Sequence, residues 1–411
     1  MVISGDTAGW IVPCGCASNQ SGGLPRRGTY VERLREESGR RLIALDAGGA
    51  PGGSSPYDRV RFEAILRGEA AMGIMAHNIG AAEAVLGPAE LRRVQRDYGV
   101  SFLATNASAV DGDLLGNRLC EYEIGGSSVI VLGVLGEEFA TDELQIAPPR
   151  QAILSALDDH ADATDSVIVL AYLEEDDLRR LAETLPEVDV IVGGPTGQPI
   201  PPQYVGPVLL TSATNEGKFL ARLDCPGPGP NWRWSGRIVE LDGGYGDDPK
   251  QLDNLQRFYA DLAERDFTPQ ETSFVEPLLG NASDYRVAGT ESCRECHEDD
   301  CRLWDDSRHA RAFESLRTKG AHVDPECQRC HTDGYALPGG FISVRRSAGR
   351  AHVGCESCHG PSQAHVDEPE VRTAHYTRAK DHCTGCHDRE NSPEFELESY
   401  WAKIRHGEES P

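Results

Sequence analysis

Between Cys293 and His387 the chain repeats one pattern, Cys-x-x-Cys-His, four times: Cys293 to His297, Cys327 to His331, Cys355 to His359, and Cys383 to His387. This is the attachment signature of c-type heme. Two thiols form thioether bonds to the porphyrin, and the imidazole directly after the second thiol is held under the iron as its first axial ligand. The reading makes Cys293, Cys296, Cys327, Cys330, Cys355, Cys358, Cys383 and Cys386 the attachment residues of four hemes. It makes His297, His331, His359 and His387 the proximal iron ligands. Structural zinc shares the paired-cysteine spacing, but a zinc ribbon needs no histidine after every second cysteine. No βαβ pattern surrounds the motifs, as a thioredoxin-like redox site would require.

A second axial position on each iron calls for more imidazole. Of 13 histidines, seven outside the motifs lie after residue 300: His309, His322, His352, His365, His375, His382 and His406. Their crowding into the motif-bearing segment points to ligation by about half of them. Apolar residues are sparse after about residue 285, so macrocycles must supply much of the core there. The short segments between motifs suit brief helices and loops.

Formal charge is −26. Residues 286–411 hold 17 basic and 23 acidic side chains, against 23 and 43 in the rest, so the first part carries most of the excess. Such a surface repels nucleic acid and anionic membrane and favours basic partners. Cys14, Cys16, Cys120, Cys225 and Cys301 remain outside the motifs, an odd number that leaves at least one unpaired within the chain. The chain opens on an apolar strand, without a basic leader or a long apolar run. Covalent heme is assembled outside the cytoplasm. A periplasmic, extracellular or cell-surface location is therefore expected, with a leader absent from this numbering and no transmembrane segment.

Upstream, strand-like and helix-like stretches alternate. Val2–Ser4, Arg41–Asp46, Val129–Leu135, Val167–Tyr172 and Val188–Val192 read as buried strands. Tyr30–Glu37, Tyr57–Arg67, Ile79–Leu86 and Asp176–Thr184 read as helices. Val208–Thr211, Phe219–Asp224 and Trp232–Leu241 read as later, more antiparallel strands, with a turn at Pro226–Pro230. The pattern is an α/β layered domain over 1–245. A linker with a helix at Gln251–Arg265 spans 246–285, and a mostly α and irregular multiheme domain spans 286–411.

The first domain resembles the calcineurin-like metallophosphatase and 5′-nucleotidase family, a sandwich with a two-metal centre at its strand ends. The resemblance rests on Gly5 to Gly9, Leu45 to Gly49, His77 to Gly80, Leu170 to Tyr172 and Val192 to Pro199. Two metals clamp a phosphoryl oxygen and activate water in that family. Its D-x-H is here Asp6-Thr7-Ala8, and its ligand Asp of D-x-G-D is Gly49. The His after its Asn is Ile79, the later strand-end His is Tyr172, and its G-H-x-H is Gly194-Pro195-Thr196-Gly197. Asp6 and Asn78 alone remain as ligands, and His77 occupies no ligand position of the family. No catalytic residue is expected. Pro13-Cys14-Gly15-Cys16 resembles an element of exported phosphatase-like proteins related to multiheme cytochromes; its cysteines could pair with Cys120 or Cys225 or stay free.

Residues 286–411 resemble the cytochrome c554 family of tetraheme electron carriers. The matching residues include the four motifs, Trp304, Ser307 to Ala310, Gly334-Tyr335, Val353-Gly354, Gly360-Pro361 and Tyr400 to Gly407. The resemblance implies mostly bis-histidine hemes and points to His309, His365 and His406 as distal ligands, with His322 the fourth choice. The implied function is electron transfer, exchanged with redox partner proteins, other cytochromes or copies of the chain, with the first domain an inactive docking or assembly scaffold. The alternative is an enzyme: reduction of a small nitrogen-oxide species at a five-coordinate heme, or residual phosphoesterase activity.

Overall fold

The computed structural model describes residues 1–13, 20–39, 41–124, 126–158, 165–225, 233–274, 285–375, 378–389 and 391–407. Cys14, Cys16, His160 and the turn expected at Pro226–Pro230 lie outside them. The chain divides into two compact units. One is built on Met1–Pro13, Asn19–Ser54 and Asp58–Gln256, the other on Arg257–Pro411 with Ser55–Tyr57. The division falls inside the helix Pro249–Arg265.

The first unit holds two six-stranded sheets. In the first, the order is Ser235–Glu240, Phe219–Asp224, Val2–Ser4, Ala44–Asp46, Ala76–Asn78, Phe102–Leu103. Pairing is antiparallel up to Val2–Ser4 and parallel beyond it. In the second, the order is Ile200–Val205, Val208–Ser212, Val190–Gly194, Ser166–Tyr172, Ser127–Leu135, Leu119–Ile124. Its four inner strands run parallel. Val208–Ser212, expected to pair in a more antiparallel manner, is one of these four. The hairpin strand Ile200–Val205 folds back antiparallel on it and takes the edge.

Strand periodicity explains why the apolar runs are continuous. Successive side chains alternate between faces. In Ser166–Tyr172, Ile168 and Leu170 face the space between the sheets, together with Ile3, Leu45, Val131, Val192 and Leu223. Val167, Val169 and Ala171 face the other way, onto Ile153 of helix Pro149–Leu157 and Leu178 and Leu181 of helix Glu175–Thr184. A strand buried on both faces can carry no polar alternation. Leu170 is fully buried between the sheets. Leu170→Ala is expected to lower unfolding free energy by about 2–5 kcal/mol in a denaturant titration, through lost transfer energy and a residual cavity.

The second unit is helical and irregular, with no strand among its described residues. Its helices are short: Thr290–Cys293, Glu298–Asp305, Ala312–Arg317, Pro325–His331, Glu356–His359, Gln363–Asp367 and Leu397–Trp401. Helix Pro325–His331, which carries the second motif, shows why they form. Asp324 caps it by accepting from Glu326 N, and Pro325 stands where no amide bond is lost. The apolar cluster built on Phe313, Leu316, Ala321 and Phe341 is small beside those of the first unit. Among the described residues, no helix is long and apolar enough to cross a membrane.

Candidate cofactor site and the remodelled strand ends

The four motifs are brought together by contacts between their own cysteines. The side chains of Cys330 and Cys386 lie within electrostatic reach of each other, which joins the second motif to the fourth. Those of Cys293 and Cys355 do the same for the first and third. Cys358 lies within electrostatic reach of Cys383, which connects the third to the fourth. In space the motifs therefore follow one another in the order second, fourth, third, first. Cys301 is buried beside Cys293 and Cys355, a thiol outside the motifs. Cys120 and Cys225 are thiols partly buried against the inter-sheet core.

Three motif histidines face a second imidazole. Ring centroids are 6.2 Å apart for His297 and His365, 6.2 Å for His387 and His309, and 5.7 Å for His359 and His406. With metal–imidazole bonds of about 2 Å, two rings on opposite faces of one ion stand roughly 6 Å apart, centre to centre. The other nitrogen of several rings is already engaged. Nδ1 lies 2.8 Å from Ala312 O in His331, 2.7 Å from Val371 O in His365 and 2.8 Å from Ile404 O in His406. A carbonyl only accepts, so each Nδ1 donates and each Nε2 keeps its lone pair for a metal. His387 Nδ1 lies 3.1 Å from Ser392 Oγ. Burial, then His387 and His331, push His309 below its ordinary range; burial, then His406 and His297, do the same for His359.

The remaining histidines are placed differently. The His322 ring meets Phe313 edge-on at 6.2 Å, and its Nδ1 is buried without a hydrogen bond. His352 lies 3.2 Å from Thr290 Oγ1 and 5.1 Å from the Trp304 ring. His375 and His382 stack on each other at 3.8 Å. Side chains inside this unit also fix the motif backbones. Glu356, within the third motif, accepts from Ala288 N, Gly289 N and Ser362 N at 2.5–2.8 Å. Trp304 Nε1 donates to Val353 O at 2.9 Å.

In the first unit, the strand ends that resemble a two-metal centre are filled by other groups. The Tyr172 ring covers Gly49 and Gly80: a Cβ added at Gly49 would meet Tyr172 Cε2 at 2.7 Å, and one at Gly80 would meet Cδ2 at 2.9 Å. Gly49 also has φ +79°, a conformation that side chains rarely adopt. Asp6 accepts from Thr214 Oγ1 and from Asn215 N. Asn78 Nδ2 donates to Ala47 O and Val134 O, both at 3.2 Å. Thr196 Oγ1 contacts Ser212 Oγ at 3.0 Å. Beneath this face Glu83 accepts from Gly49 N, Ala50 N and Gly80 N, tying together the loops that follow two strands. Gly49→Asp would place a carboxylate in the Tyr172 ring at positive φ. It is expected to lower stability by about 1–3 kcal/mol and to restore no phosphodiester hydrolysis, measured by denaturation and a Mn²⁺-supplemented assay.

Comparison with known proteins agrees with these two halves. Residues 292–360 match the family described as Cytochrome c554 and c-prime. Cytochrome c-554 of Nitrosomonas europaea is 34% identical over 97 residues, 20% of this chain and 41% of that protein, so the match spans less than half of the relative's length. A 5′-nucleotidase precursor of Thermus thermophilus superposes with a TM-score of 0.56 at 17% identity, covering 85% of this chain and 72% of that one. The calcineurin-like phosphoesterase YfkN of Bacillus subtilis gives 0.55 at 15% identity, covering 64% and 97%. The sulfate thiohydrolase SoxB of Thermus thermophilus gives 0.51 at 20%, covering 61% and 49%. The chain thus joins a fold similar to that of calcineurin-like phosphoesterases to a segment, residues 292–360, that is similar to cytochrome c554.

Proposed function

We propose that the chain is an extracytoplasmic electron carrier with four covalently attached c-type hemes. The observation that carries this reading is the set of three imidazole pairs at 5.7–6.2 Å, each joining a motif histidine to one outside the motifs. That spacing fits an iron held on both faces. The first motif is assigned His297 and His365, the third His359 and His406, and the fourth His387 and His309. For the second motif, His331 is the proximal ligand and His322 the remaining candidate opposite it; Ala312 accepts from His331, and Phe313 meets His322.

Bound at these positions, heme iron supplies reversible one-electron exchange. The side chains do the rest. Eight cysteines would tether the groups, and the paired imidazoles would hold three of them and exclude small molecules. Backbone carbonyls fix the tautomers, and the order second, fourth, third, first makes one continuous row. An acidic surface favours basic redox partners. The first unit is read as a scaffold without phosphoesterase activity, because Tyr172 fills the place beside Gly49 and His ligands are missing.

Ferric-state electron paramagnetic resonance tests this. Low-spin signals from all four hemes are expected. A high-spin signal confined to one heme would give the His331 site an open face and favour the reading as a reductase of small nitrogen or oxygen species. High-spin signals from most hemes would overturn the ligand assignment.

A further inference from the structure

We propose that Asp46, Glu69 and His77 bind one divalent transition-metal ion inside the first unit, on the helix-facing side of its first sheet. This site is separate from the strand-end positions Asp6, Gly49, Asn78, Tyr172 and Thr196. Asp46 and His77 are register partners on adjacent parallel strands. Their neighbours Leu45 and Ala76 point into the inter-sheet core, so alternation turns Asp46 and His77 to the opposite face. Helix Pro56–Met72 brings Glu69 onto that face. One donor atom from each of the three residues lies within 4.8 Å of the others, and all three residues are buried.

Two further observations point to a cation. Glu69 Oε1 is buried without a hydrogen-bond partner, while Oε2 lies 2.9 Å from His77 Nδ1. An unpaired buried carboxylate oxygen is costly, and a metal bond removes that cost. On the other side of the ring, His77 Nε2 lies 3.0 Å from Glu83 Oε1, and Glu83 is held by three backbone amides. A carboxylate behind the imidazole is the arrangement that orients metal-ligating histidines.

A divalent ion is compatible with the charge. Asp46, Glu69 and Glu83 carry three negative charges. Arg27 is fully buried, 3.9 Å from Asp46, and supplies one positive charge. With His77 neutral and ligating, a divalent ion makes the group neutral. In the ion's absence, protons on both His77 and Glu69 give the same balance, and both groups are pushed upward, Glu69 by burial and His77, against burial, by its carboxylate neighbours. Ser4 Oγ donates to the Asp46 oxygen near Arg27 at 2.6 Å, and Gly48 N donates to the other at 2.9 Å, which fix the carboxylate plane. A cavity of about 30 Å³, large enough for a water, is lined by Glu69 and His77 together with Tyr98 and Ser101. Mixed imidazole and carboxylate donors suit Zn²⁺ or Mn²⁺ rather than Ca²⁺. The bound ion would act as a clasp, connecting two strands and a helix through His77 and Glu83 to the loops at Gly49 and Gly80.

The test uses the full heme-loaded chain, stripped with a chelator and dialysed in separate arms against Zn²⁺ and Mn²⁺. Elemental analysis counts these metals apart from heme iron. One equivalent of one of them per chain is expected. Asp46→Asn and Glu69→Gln should abolish retention, and Glu83→Gln should weaken affinity about 10–100-fold. Retention of neither ion by the natural chain, or undiminished retention by both ligand variants, overturns the site. Should the variants fail to fold, X-ray absorption at the retained metal of the natural chain decides. Nitrogen and oxygen scatterers with one imidazole support the site, and a sulfur shell, which would place the ion on cysteine, overturns it.

Discussion

Replacing Cys383 and Cys386 with alanine is expected to yield a chain with three hemes instead of four and to split the row into two disconnected parts. The fourth motif is the one that meets both sides: Cys386 lies within electrostatic reach of Cys330 of the second motif, and Cys383 of Cys358 of the third. The same pair of replacements at Cys293 and Cys296 also removes one heme, but from an end, and leaves the other three in contact. Hemochrome quantification gives the count. Stopped-flow reduction separates the two variants. The Cys293/Cys296 variant should reduce as one connected set, and the Cys383/Cys386 variant should show a heme that no longer equilibrates with the rest. Identical kinetics in the two would contradict the spatial order.

His309→Ala is expected to convert one low-spin heme into a high-spin one that binds carbon monoxide. His309 stands 6.2 Å from His387, and burial, then His387 and His331, push its pKa down. The readout is a change in about one quarter of the heme absorbance, with the count of four unchanged. His352→Ala is the control, because His352 is engaged by Thr290 and Trp304 and faces no motif histidine. A spectral change in the His352 variant and none in the His309 variant would reverse the assignment.

How far such a site is legible in sequence depends on the range over which its chemistry acts. Thioether attachment needs two thiols and an imidazole within five residues, so the motifs are local and readable. A second axial ligand would be brought in by tertiary structure. His309 follows the first motif, yet it faces the histidine of the fourth; His365 follows the third, yet it faces that of the first. Names of candidates could be read from residue order, but their pairing could not. The strands Val129–Leu135 and Val167–Tyr172 were readable because burial on both faces leaves long apolar runs. Phe102–Leu103, Ala107–Ala109 and Leu144–Ile146 are too short to show a period. The parallel direction of Val208–Ser212 was hidden because its neighbour in sequence is an antiparallel hairpin partner.

The least legible feature is the buried charge group of Arg27, Asp46, Glu69, His77 and Glu83. In sequence, Arg27, Glu69 and Glu83 are charged positions on helices, a pattern that ordinarily marks a solvated face. Here the three turn inward onto strand residues. The only local hint is Glu83, three residues after Gly80 at a helix start, where a carboxylate commonly reaches back to the first amide. Loss of the strand-end ligands was readable, because each is a residue identity. What replaced them, the Tyr172 ring over Gly49, required coordinates.

Intact-mass spectrometry of the denatured mature chain tests the central claim most directly. Thioether bonds survive unfolding, so a single species is expected at the polypeptide mass plus four heme groups. A species at the bare polypeptide mass, or one carrying fewer than four under conditions of full cytochrome maturation, would contradict attachment at all four motifs.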